Sequence, residues 1–190
     1  MLTLRHATLA DKPATYAWLC LSDTTSLHLG PPDYPESPVP TREEFARDFD
    51  DFYFLPAGRR QGAVMIVERA AEPIGCLCYA CFHLQPGAAE LDIWLKERRL
   101  CGLGLGTEAL RLLVEHLRRE LGCTRFLIRP SARNTRALRA YAKAGFVDRP
   151  EKIPALRSFL KEEFWDAYGG GDYGLEGTAV MTLEDDTPPR

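Results

Sequence analysis

The stretch Trp94–Leu110, WLKERRLCGLGLGTEAL, decides the fold. Gly102, Gly104 and Gly106 stand at alternate positions just before a run with helical periodicity. Glycines let a backbone approach an anion closely, because no Cβ intervenes. The dipole and unpaired N–H groups of a following helix then favour a phosphate. Two familiar phosphate loops fail here. A P-loop, GxxxxGK[ST], needs a lysine after its last glycine, and none follows. A dinucleotide fingerprint counted from Gly102 needs glycine at 107, where Thr107 stands. It also needs an acid at the end of the next strand, which closes on Arg129. What remains is a strand, an anion-binding loop and a helix.

On the N-terminal side, LTLRHAT alternates as a strand. LADKPATYAWLCL reads as a helix, with Asp11 as N-cap and Pro13 in the first turn. The segment 22–40 has five prolines and no periodicity, and is expected as a long binding loop. TREEFARDFDDFYF is expected as one helix with a Thr41/Glu44 capping box, placing Phe45, Phe49, Phe52 and Tyr53 on one face. GAVMIVERA and IGCLCYACFHL flank the turn AEP, and PGAAE leads into LDIWL: an antiparallel meander.

Downstream, the helix TEALRLLVEHLRREL carries the apolar stripe Leu110, Leu113, Val114, Leu117 and Leu121 and stops at Gly122. CTRFLIRP is a strand. NTRALRAYAKAG is a helix with Asn134 as N-cap, Gly145 as stop, and a basic face of Arg133, Arg136, Arg139 and Lys143. PALRSFLKEEFWDAY is expected as one further helix, GGGDYG as a turn and GTAVMTLED as the last strand. Residues 185–190 are expected to form a flexible tail. The order β-α-α-β-β-β-α-β-α-(α)-β describes a mixed α/β fold with a mixed sheet, a single domain over residues 1–190.

A net charge of −3 gives no pull toward nucleic acid or an anionic membrane. No stretch of about 18 apolar residues exists to span a bilayer. The N-terminus lacks the basic-then-apolar pattern of a signal peptide, so a cytoplasmic location with six reduced cysteines is expected. Cys76, Cys78 and Cys81 read as buried strand thiols. No second Cys/His pair stands at ligand spacing, so no metal is expected. Charge is unevenly distributed. Residues 90–143 hold 12 Lys/Arg against 6 Asp/Glu, residues 31–56 hold 2 against 7, and residues 151–190 hold 4 against 9. Solvated helix faces explain this, and so does an anionic ligand in the middle with a cationic one at the flanks.

CGLGLGTEAL followed by RPSARNTRALRAYAKAGF resembles the GNAT acetyltransferase superfamily. That family's loop reads roughly [RQ]xxGx[GA] and binds the pyrophosphate of acetyl-CoA. Its next segment reads NxxAxxxYxKxGF, matched by Asn134, Ala137, Tyr141, Lys143, Gly145 and Phe146. The resemblance follows the element order over residues 1–149, with specific motifs from Leu91 to Phe146. It implies an acyl-CoA N-acyltransferase fold, with an antiparallel N-terminal meander and a β-loop-α-β-α half for CoA. It also implies acetyl-CoA as acyl-donor co-substrate and, at family level, a homodimer. By the same resemblance Cys101, Gly102, Leu103, Gly104, Leu105 and Gly106 cradle the pyrophosphate, and Thr107 opens the helix. Trp94 and Leu95 offer backbone groups to the pantetheine, which Asn134 hydrogen-bonds, and Tyr141 meets the thioester sulfur. One departure stands out: the family's Arg/Gln falls on Cys101, so Arg98 or Arg99 is expected to supply the missing charge. A shifted register, Arg99-Gly102-Gly104, satisfies the pattern formally.

Acetyl transfer to an amine needs a base, since a free alkylamine titrates near ~10. Glu90, Asp92 and Trp94 share one face of AELDIWL; Leu91, Ile93 and Leu95 share the other. EPIG, GTEAL and RPSARN are similar to aminoglycoside 6'-N-acetyltransferases, whose strand acid corresponds to Asp92. Asp92 is the expected base, with Glu90 second, and Tyr141 the expected acid. Ser131 and Thr107 read as caps. Acids at Asp33, Glu36, Asp48, Asp50 and Asp51, and at Glu162, Glu163, Asp166 and Asp172, favour a cationic small-molecule amine, polyamine- or aminoglycoside-like. Two alternatives stay open: a protein N-terminus or lysine as acceptor, and a non-catalytic acetyl-CoA-binding regulator.

Overall fold

The computed structural model describes residues 1–28 and 39–184. The elements run β1 (Leu2–His6), α1 (Lys12–Cys20), α2 (Thr25–His28), α3 (Arg42–Asp48), β2 (Gly62–Arg69), β3 (Glu72–Ala80) and β4 (Ala88–Leu95). Then come α4 (Leu105–Leu121), β5 (Arg125–Ile128), α5 (Thr135–Ala144), β6 (Val147–Asp148), α6 (Lys152–Phe159), α7 (Trp165–Tyr168), α8 (Gly174–Gly177) and β7 (Met181–Glu184). The strands form one mixed sheet in the order β1-β2-β3-β4-β5-β7-β6. β4 and β5 are parallel, and the other neighbours are antiparallel. The expected mixed α/β fold and meander are therefore observed. No helix among the described residues is long and apolar enough to cross a membrane.

Alternation of side chains builds the layers. Leu91, Ile93 and Leu95 of β4 face α4, whose Leu110, Leu113, Val114 and Leu117 are all buried with them. Each such burial stabilises by about 1.5–3 kcal/mol. Trp94, on the opposite face, joins Val64, Ile66, Cys76 and Phe54. Leu127 and Val180 pack there with Leu156 and Phe159 of α6.

Several local expectations are corrected. Asp11 does not cap α1 with its carboxylate; it turns back to Thr8 N at 2.8 Å and to the Arg5 guanidinium. The first hairpin turns at Ala70 and Ala71, both at positive φ, so Glu72 and Pro73 lie in β3 rather than in the turn. The helix expected over 41–54 keeps its Thr41/Glu44 capping box but ends at Asp48. Asp50 then accepts from Phe52 N at 3.0 Å and starts a separate 3₁₀ turn, offering the backbone an alternative to the helix. Phe49 still stacks on Phe45 and Tyr53, while Phe52 turns to Phe82. The helix expected over 154–168 breaks at Leu160, which is extended and bridges Leu84. Residues 29–38 and the expected tail 185–190 lie outside the described residues.

Candidate active site

β4 and β5 pair only from Ala88↔Arg125 to Leu91↔Ile128, and β4 then continues to Leu95 without β5 beside it. The sheet therefore opens between the two strands. The glycine loop follows β4 at this opening. Gly102 and Gly104 have φ +81°, with nothing within 4 Å of an added Cβ, so backbone conformation alone calls for glycine there. Gly104 is the N-cap of α4, leaving the first amides, at Leu105, Gly106 and Thr107, without intrahelical partners. A groove of about 330 Å³ lies over them. It is lined by Trp94, Leu95, Cys101, Gly102, Gly104, Gly106, Thr107, Asn134 and Tyr141 among the expected residues. Leu103 and Leu105 are not among its lining; the Leu103 side chain is exposed and that of Leu105 is buried in the core.

Thr107 does not open the helix. It is the third helical residue, and its hydroxyl donates to Ala140 O at 3.1 Å, tying α4 to α5. Asn134 caps α5, accepting from Ala137 N at 3.1 Å. The Leu95 carbonyl already accepts from Thr24 Oγ1 at 2.9 Å. Of the two arginines expected beside Cys101, Arg98 acts on its thiol and Arg99 does not. Arg99 points to solvent and pairs with Glu97. Arg136 of α5 adds a second charge on the Cys101 thiol, and it lines the groove with Arg139 and Lys143. The signal was the 136–139–143 spacing on one helix face.

A second cavity, also about 330 Å³, lies against the other side of the opening. Trp94, Asn134 and Tyr141 line both cavities, so the two meet there. Leu19, Phe49, Tyr53, Phe82, Tyr168 and Tyr173 supply its apolar walls, and Glu90, Asp92, Asp172, His83 and Arg129 its polar ones. Of the acids expected to line it from the flanking segments, Asp172 alone does so among the described residues. Asp51 pairs with Lys12 and Glu162 with Arg157. Asp33, Glu36 and the Asp48 side chain lie outside the described residues. Cys78, expected buried, is half-buried at the cavity wall, and Cys81 is also half-buried.

The two strand acids differ sharply. Burial pushes the Glu90 carboxyl up, but the contact with His83 Nε2 (2.7 Å) and the Arg129 guanidinium (2.6 and 2.9 Å) outweigh it and hold it at about 2. Among the described residues Asp92 accepts only from its neighbour's N–H, Ile93 N at 2.7 Å. The surrounding protein desolvates it although its side chain is open to the cavity. This desolvation, with Asp172 facing it, pushes it up to about 7. Tyr141 is buried, and its hydroxyl is pushed up by desolvation and by Asp92. Ser131 is not the N-cap of α5; its hydroxyl accepts from Arg133 N at 3.3 Å, and its backbone bridges Thr178, joining β5 to the C-terminal segment.

The sequence model of the acetyltransferase (GNAT) domain matches residues 1–147. Aminoglycoside N(6')-acetyltransferase type 1 of Klebsiella pneumoniae is 43% identical over 61 residues, 32% of this chain and 30% of that protein. A kanamycin resistance protein of Rhizobium radiobacter is 43% identical over 61 residues, covering 32% of this chain and 56% of that protein. The chain thus spans less than two thirds of these curated relatives. Among solved structures, AAC(6')-Ib in complex with ribostamycin and coenzyme A aligns with TM-score 0.69 at 26% identity, over 96% of this chain and 93% of that one. Spermidine N-acetyltransferase from Vibrio cholerae, with CoA and spermine, aligns with TM-score 0.67 over 96% and 95%. At 16% identity that likeness shows the fold alone.

Proposed function

Because the chain belongs to the acetyltransferase (GNAT) domain family, we propose that it is an acetyl-CoA-dependent N-acetyltransferase acting on the primary amine of a cationic small molecule. One observation carries this reading: two cavities meet at Trp94, Asn134 and Tyr141, with Asp92 lining one and the α4 N-terminus lining the other. The glycine-loop groove fits acetyl-CoA. Free helix amides, with Arg136, Arg139 and Lys143 across from them, suit a diphosphate. The bound acetyl thioester supplies the electrophile.

The chain's own residues do the rest. The amine enters the second cavity and loses a proton to Asp92, directly or through water. An acid of pKa about 7 is ionised often enough at neutrality and basic enough to accept that proton. The amine nitrogen bonds to the acetyl carbon, and the carbon–sulfur bond breaks. Tyr141 gives its proton to the departing thiolate and regains one from the second proton that the new amide nitrogen sheds, a role suited to a phenol that stays protonated. Glu90 is the weaker base, because it is held ionised by its partners and its oxygens are occupied. Three carboxylates, Glu90, Asp92 and Asp172, line the cavity with one guanidinium that is already paired. The remaining negative charge favours a cationic acceptor, as do the aromatic walls. The neighbour solved with ribostamycin, at 26% identity, holds a ligand of this chemical class.

Release of CoA thiol from acetyl-CoA, measured against a panel of amines, tests this reading. Release with polyamines or aminoglycosides, but not with N-terminal or lysine peptides, is expected. Release only with peptides moves the acceptor to proteins. Tight acetyl-CoA binding with no release above background for any amine leaves a regulator.

A further inference from the structure

The turn 168–173 forms one wall of the acceptor cavity, through Tyr168, Gly171, Asp172 and Tyr173. We propose that Arg129 is a positioning residue that clasps this turn onto β4 and so sets which amines the cavity prefers; this rests on the acetyl-transfer reading above. Each of the three guanidinium nitrogens donates to protein. Nε and Nη2 fork onto Glu90 Oε1 and Oε2 at 2.6 and 2.9 Å, while Nη1 donates to the Tyr168 carbonyl. His83 completes the clasp. Its Nε2 lies 2.7 Å from Glu90 Oε2, and its ring stacks on that of Tyr168 at 4.7 Å and 21°. Tyr168 is thus held twice, by its backbone through Arg129 and by its ring through His83, and both holds converge on Glu90.

The side chains of Arg129 and His83 are only 8% and 3% exposed, so these charge-assisted bonds are made largely out of water, where they are strong. The turn needs such a hold. Gly169, Gly170 and Gly171 are consecutive, and each loses much conformational freedom on ordering. Gly171 has φ +64°, and a Cβ there would come within 3.5 Å of Arg129 Nη1 and 3.1 Å of Thr178 Oγ1. Asp172 and Tyr173 follow directly and face Asp92. Unclasped, the turn has many conformations; clasped, it presents Asp172 to the second cationic group of an acceptor. Lysine cannot replace this arginine, because one ammonium cannot fork onto Glu90 and reach Tyr168 together.

Steady-state transfer to spermidine and to the monocation butylamine, with R129K, D172N and the double variant, tests the clasp. R129K is expected to raise the KM for spermidine about tenfold relative to that for butylamine, with the KM for acetyl-CoA unmoved. D172N is expected to do the same, and the double variant no more than either alone, because both act through one wall. Unchanged amine preference in R129K, independent multiplication of the two effects, or a parallel rise in the KM for acetyl-CoA would overturn the clasp. Failure of the unsubstituted protein to acetylate any amine overturns the acetyl-transfer reading instead. Amide hydrogen exchange then still tests the clasp: faster exchange in R129K confined to residues 168–173 supports it, and unchanged exchange there overturns it.

Discussion

Glu90 and Asp92 stand two positions apart on one face of β4, and Arg129 separates their chemistry by forking onto Glu90 alone. One carboxylate is fixed as an anion and the other is left to exchange its proton near neutrality.

The first expected outcome is a pH profile. With Asp92 at about 7, kcat/KM for acetyl transfer rises as pH passes upward through that value, since only the ionised carboxylate accepts a proton. Asp92→Asn removes this limb and lowers kcat/KM by roughly 10²-fold or more. A near-normal rate in the variant would exclude Asp92 as the base.

The same shift has a cost in stability. A carboxyl whose folded pKa lies above its unfolded value helps the fold below the unfolded value, about 3.8, and loses that help as pH climbs through about 7. Asn lacks this dependence. Urea denaturation is therefore expected to show Asp92→Asn gaining on the unsubstituted protein between pH 4 and pH 8. A gap that stays constant over that range argues against a raised pKa.

Glu90 behaves in the opposite sense. Its pKa is depressed to about 2, so its contribution is present above its unfolded value near 4.5 and fades as pH falls toward 2. Glu90→Gln leaves the Arg129 guanidinium buried without its anion and is expected to cost about 3 kcal/mol at pH 8. The cost shrinks on acidification, and equilibrium unfolding at pH 8 and pH 3 measures both.

Tyr141→Phe separates packing from chemistry. The ring is buried against α4 and β4, and the hydroxyl makes no hydrogen bond among the described residues. Thermal stability is expected to hold while thiol release slows by roughly 10²-fold. Equal rates in the two proteins would assign the leaving-group proton to another donor.

The loop glycines divide in the same way. Gly104→Ala forces a left-handed residue and is expected to cost about 1–2 kcal/mol of stability. Gly106 has no positive φ, and its added Cβ meets Ile93 at an ordinary 3.7 Å. Gly106→Ala is expected to keep or raise the melting temperature, as alanine suits a helix better. It is also expected to weaken CoA binding about tenfold by calorimetry, or 1.4 kcal/mol. Unaltered CoA affinity would remove Gly106 from the groove.

The half of the site carried by contiguous sequence was legible. Strand alternation put Glu90 and Asp92 on one face, the loop glycines stood out by their spacing, and Asn134 and Tyr141 were singled out by their match to the family pattern. Groups brought together only by tertiary structure were not. Arg129 was visible as a strand-end residue, but its pairing with Glu90 and Tyr168 crosses 39 residues in each direction. Local chemistry also overruled helical periodicity twice. Asp50 captured its own backbone, and Leu160 was drawn into a bridge with Leu84.

The family match ends at residue 147, whereas Tyr168, Asp172 and Tyr173 come later in the chain. Asp92 and Tyr141 thus lie inside the matched stretch, while the turn that closes the far wall of the same cavity lies beyond it. If the proposed roles hold, substitutions in a short glycine-rich turn would alter the amine preference without touching Asp92, Tyr141 or the glycine loop.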